Sequence, residues 1–251
     1  MVFLSEPPPT QADLHFSLFG FPVRISPWFW GVSILMGIRS GGPQELLTWV
    51  GVVFVSILVH ELGHALAMRY FGWNARITLY AFGGMAAYES NSAMQQGQNS
   101  PRSQILISLA GPAAGFVLAG LVVAAIYATN RSFYFFFTTI GQGPYLDNPQ
   151  LILLVRYMLF VNVLWGLVNL LPVYPLDGGQ VSRELFMLFN PRRGIVQSLW
   201  LSVIASGAAA VFGLMLMESL YVGLMFGFLA YSSYQTLQAY LRGGYGGGRG
   251  W

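Results

Sequence analysis

Apolar residues in this chain fall in long unbroken runs separated by short polar stretches, a pattern of helices that are hydrophobic on all sides. A spanning helix needs about 20 mostly apolar residues. Six segments approach or reach that length: roughly 28–38, 45–70, 103–128, 151–171, 195–217 and 219–241. The first is short unless it begins near Ile25, and Glu218-Ser219 falls where a tight turn would join the last two. Between the second and third runs the pattern changes. Ala75 to Phe82, then Gly83-Gly84, then Met85 to Tyr88 reads as strand, glycine break, strand. Phe16 to Ile25, with Gly20 and Pro22, suits a further short strand. Non-helical backbone at membrane depth must be shielded by protein or line a wet cavity, which predicts a sheet beside the second helix. The expected fold is an all-α polytopic membrane protein with about six transmembrane helices and a small membrane-associated β-sheet. Residues 1–25 read as a leader with a possible short strand, 26–241 as the transmembrane domain and 242–251 as a glycine-rich flexible tail.

Composition narrows the function. The chain is 55% hydrophobic and 8% charged, against roughly 25% charged in a soluble domain. No cysteine is present, so disulfides and thiolate sites are excluded and a metal must be held by nitrogen and oxygen. All twelve basic residues are arginine, scattered singly apart from Arg192-Arg193. That distribution excludes the clustered basic stripe of a nucleic-acid surface. It carries topology instead. With six spans, nine arginines fall on the side of the N-terminus and three, Arg39, Arg131 and Arg156, on the other. Both termini are therefore expected in the cytoplasm, in a multi-pass protein whose compact size fits a bacterial plasma membrane. The first residues, with Glu6, three prolines and Asp13, lack the basic and apolar regions of a signal peptide.

Candidate chemistry sits inside the second apolar run, at His60-Glu61-Leu62-Gly63-His64. HExxH on a helix places two imidazoles one turn apart on one face, able to grip one metal ion. Histidine and glutamate are costly in hydrocarbon and mark function there. A catalytic zinc takes three protein ligands and leaves one position open. The remaining histidine, His15, lies in the polar leader, so the third ligand is expected to be a carboxylate. Asp177 is best placed, following Pro172 and Pro175 and preceding Gly178-Gly179, where prolines break a helix and glycines allow sharp turns. Glu89 and Glu184 lie in polar, exposed-looking stretches and are weaker candidates. Glu61, turned about 100° from His60 round the helix, suits a general base acting on water. Under the six-span scheme, His60, His64 and Asp177 share one depth toward the cytoplasmic side.

These residues resemble the site-2 protease family of intramembrane zinc metalloproteases. The likeness runs through His60-Glu61-Leu62-Gly63-His64-Ala65-Leu66-Ala67, Phe82-Gly83-Gly84, Ala110-Gly111-Pro112-Ala113-Ala114 and Asn169 through Gly178, and the leader Leu18 to Ile25 is similar to compact members. The resemblance implies that His60, His64 and Asp177 hold Zn2+ and that Glu61 is catalytic. It implies that Asn169 positions the substrate or the tetrahedral oxyanion, and that the strands around Gly83 and Gly84 bind an extended substrate by strand addition. The partners so implied are membrane-anchored protein substrates and the lipid bilayer, with no nucleic acid. Many members continue the Gly-Pro-Ala segment to an asparagine where this chain has Gly115 and Phe116. No inserted PDZ-like or appended CBS-like domain is expected. Two other readings stay open: an inactive homologue that binds membrane segments, against which Glu61 argues, and a metal-ion transporter, against which the absence of repeats argues.

Overall fold

The computed structural model describes residues 8–38, 41–81, 83–88 and 100–242. Phe82, Glu89, Arg39, Arg249, the start of the leader and the glycine-rich tail lie outside them. The chain divides into two compact units, residues 1–95 with 110–168, and residues 96–109 with 169–251.

The first unit opens on a hairpin, β1 (Leu14–Leu18) and β2 (Phe21–Ile25). The single strand expected here is two, because Phe19 and Gly20 take φ of 51° and 84° and turn the chain back. Helices α1 (Pro27–Gly37) and α2 (Pro43–Tyr70) follow, then β3 (Ala75–Tyr80) and β4 (Gly83–Tyr88). The sheet order is β1-β2-β3-β4, parallel between β2 and β3 and antiparallel elsewhere. Gly83 and Gly84 are not the break expected between strands. They pair with Tyr80 and Leu79 inside the ladder, and the chain turns at Ala81.

Helix α3 (Pro101–Ala128) leads into a hairpin of β5 (Ser132–Phe135) and β6 (Thr138–Gly141), which the aromatic run 133–137 did not announce as strands. Next comes α4 (Pro149–Leu159), a π-helical stretch (Phe160–Trp165) and the short α5 (Gly166–Asn169). Ala119, Ile126, Phe133, Val155 and Leu159 form a buried core joining α3, β5 and α4. Helices α1 to α4 each open on proline, whose missing N–H costs nothing at a helix start.

The second unit holds a non-helical stretch from Leu170 to Leu176, then α6 (Asp177–Phe189), α7 (Gly194–Met215) and α8 (Leu220–Arg242). Helix α6 was not anticipated, because it lies between the long apolar runs 151–171 and 195–217. It also buries Glu184, 7% exposed, contrary to the exposed position expected for it.

Among the described residues, four helices are long and apolar enough to cross a membrane: Pro43–Tyr70, Pro101–Ala128, Pro149–Asn169 and Gly194–Met215. Helix α1 has eleven residues and reaches about 16 Å, half of a bilayer's roughly 30 Å hydrocarbon core.

Candidate metal centre

His60 and His64 lie one turn apart on α2, and their Nε2 atoms face each other at 3.1 Å with the ring planes 78° apart. Two nitrogens bound tetrahedrally to one zinc at about 2.0–2.1 Å stand roughly 3.3 Å apart. The pair therefore has the spacing that a shared ion requires, and the donors fit the metal. His64 is 7% exposed and the neighbouring Glu61 5%.

Two glycines make room for this group. A methyl on Gly111 of α3 would strike His64 Nε2 and lie 2.8 Å from His60 Nε2. The helices can approach so closely because Gly63 of α2 packs on the Ala110 carbonyl and Ala114 of α3. On the other side, a methyl on Gly84 of β4 would fall 2.6 Å from Glu61 Cδ. Gly84 thus lets the strand lie directly on the carboxyl group. Neighbouring Gly83 has φ of 120°, a conformation that a side chain would strain.

Two nearby residues were not singled out from sequence. Tyr80, at the end of β3, is buried, which pushes its phenol above the usual range, and the charge of Glu61 pushes it further. Asn162 lies in the π-helical stretch, 3% exposed. Its amide donates to Ser56 Oγ of α2 and to the Met158 carbonyl, both at 2.8 Å. Ser56 precedes His60 by one turn. A π-helical stretch is unusual and frequent at functional sites, yet apolar patterning alone leaves no trace of it.

Asn169 is the last residue of α5 and Asp177 the first of α6. The intervening segment folds tightly over the start of α6: methyls on Gly178 and Gly179 would meet the Leu170 and Val173 backbones. His60 and His64 belong to the first unit and Asp177 to the second.

The sequence model of Peptidase family M50 matches residues 48–214. The chain belongs to this family. Over 200 residues it is 28% identical to a Synechocystis protein named provisionally as a zinc metalloprotease, covering 72% of this chain and 46% of that protein. Stage IV sporulation protein FB of Bacillus subtilis is 28% identical over 67% of this chain and 48% of its own length. A zinc metalloprotease of Methanocaldococcus jannaschii is 25% identical over 70% of this chain and 42% of its own. The chain thus spans less than half the length of these relatives. Its fold is that of the site-2 protease from Methanocaldococcus jannaschii, with a TM-score of 0.53 at 20% identity, over 90% of this chain and 95% of that one. With four apolar spans and this family, it is an integral membrane protein.

Proposed function

We propose that this M50 member is an intramembrane zinc metalloprotease that hydrolyses peptide bonds in or near the transmembrane segments of membrane-anchored proteins. The observation that carries the reading is the His60–His64 pair, 3.1 Å apart at Nε2, with a buried glutamate beside it on the same apolar helix. His60, His64 and Asp177 would hold the ion. When bound, zinc would acidify a water toward pKa 7 and polarise the scissile carbonyl. Glu61, carboxylate against Gly84, takes the proton from the attacking water and returns it to the leaving amine. Asn169 positions the substrate or the oxyanion. Gly83 and Gly84 leave the edge strand β4 free of side chains on its approach to Glu61, a surface suited to an extended substrate strand.

Counted on six spans, the nine-to-three arginine distribution supports both termini in the cytoplasm and cleavage near that side. On this scheme α1 and α8 supply the two further spans, and the membrane is a bacterial plasma membrane.

The test compares wild type with Glu61→Gln and Asp177→Ala on a single-span substrate while bound zinc is counted. Zinc should stay in Glu61→Gln, which should not cleave, and should be weakened in Asp177→Ala. Wild type without zinc, or equal cleavage by Glu61→Gln, defeats the mechanism.

A further inference from the structure

Between Asn169 and Asp177 the backbone leaves the helix, and hydrocarbon cannot satisfy the N–H and C=O groups so released. Some are met within the segment: Val173 N–H donates to the Leu171 carbonyl at 2.7 Å, and Leu176 N–H to the Val173 carbonyl at 2.8 Å. Tyr174, at the middle, is held from outside. Its N–H donates to Ser202 Oγ of α7 at 3.1 Å, and its carbonyl accepts from Ser233 Oγ of α8 at 3.2 Å. Ser202 is 1% exposed and Ser233 0%. The Ser202 hydroxyl also donates to the Ser198 carbonyl at 3.0 Å. It accepts once and donates once, as a single hydroxyl can.

Buried serines in apolar helices ordinarily bond back to their own helix. Ser206, one turn along α7 and equally buried, does so with the Ser202 and Val203 carbonyls. Ser202 bonds back too, to Ser198, but its oxygen also accepts from Tyr174, so Ser202 and Ser233 reach the same residue of a third element from two different helices. From below, Gly179 seats that residue, since a methyl there would lie 2.6 Å from Tyr174 N. Three residues later the chain arrives at Asp177.

We propose that Ser202 and Ser233 are positioning residues for Asp177, clamping the Tyr174 backbone so that the carboxylate is held ready to ligate zinc. The inference rests on the zinc-protease reading above. It also brings α8 into the site's support, because the family match ends at residue 214 and Ser233 lies beyond it.

The experiment measures zinc affinity of the full chain in detergent by chelator competition, with the absorption spectrum of the cobalt-substituted protein as a second readout. Ser233→Thr and Ser233→Val have nearly the same shape, but only the first keeps the hydroxyl. Ser233→Val and Ser202→Ala should each bind zinc about tenfold more weakly and alter the cobalt spectrum, as loss of outer support does elsewhere. Ser233→Thr and Ser206→Ala should match wild type. If Ser233→Val binds as tightly as Ser233→Thr and Ser202→Ala matches wild type, while Asp177→Ala loses zinc, the clamp is refuted and the protease reading stands. If wild type holds no zinc, or Asp177→Ala binds it undiminished, that reading falls and takes the clamp with it. Should Ser233→Val fail to fold, Ser202→Ala against Ser206→Ala makes the same comparison within α7.

Discussion

At position 111 a hydrogen in place of a methyl decides whether two imidazoles can share an ion, and at position 84 the same difference decides where a carboxylate can rest. The two glycines serve different groups, so their alanine variants should fail differently. Gly111→Ala pushes on both Nε2 atoms and should weaken zinc binding at least about tenfold, with cleavage lost as a consequence. Gly84→Ala pushes on the Glu61 carboxyl and should keep its zinc while losing cleavage. Metal content and single-span substrate cleavage, measured on the same preparations, separate the two. Gly120→Ala, with open space at its Cβ, should leave both unchanged. HExxH was legible as chemistry because its residues are costly in an apolar run. Gly111 was legible only as part of the Ala110–Ala114 likeness, since what its absent side chain spares lies on another helix.

Helix α2 carries the histidines, and its crossing with α3 sets the room around them. Gly63 makes that crossing close: a side chain there meets the Ala110 carbonyl, which belongs to backbone and cannot swing aside. Gly63→Val should cost on the order of 1–3 kcal/mol of stability. Gly51→Ala on the same helix meets nothing within 4 Å and should be neutral. Thermal unfolding of the two in detergent checks the contrast. Element types were largely legible here, because runs of 20 apolar residues and proline starts are local signals. Helix α6 was missed because its apolar positions are interleaved with polar ones, and the β1–β2 hairpin was read as one strand because the turn rests on a positive φ at Phe19.

For the whole molecule, the metal links folding to function. An ion that binds the folded chain and not the unfolded one adds stability as RT ln(1 + [L]/Kd), about 2.7 kcal/mol at a hundredfold excess over Kd. Adding zinc to chelator-treated wild type should therefore raise its melting temperature. Glu61→Gln should show the same rise, and His64→Ala little or none. An equal rise in His64→Ala would place the stabilising ion elsewhere.

By itself the sequence determined that the chain lives in a membrane, that its second apolar helix brings two histidines and a glutamate together, and that a metal there would have to be held by nitrogen and oxygen. Each follows from residue type and short-range spacing, which a helix converts directly into geometry. The tertiary structure alone decided that Gly111 and Gly84 clear space for the histidines and Glu61, that Asn162 reaches Ser56 from a π-helical stretch, and that serines of α7 and α8 grip the chain ahead of Asp177. These partners lie from 23 to 106 residues apart in the chain. Close approach between such distant groups is settled by packing, to which local pattern is blind.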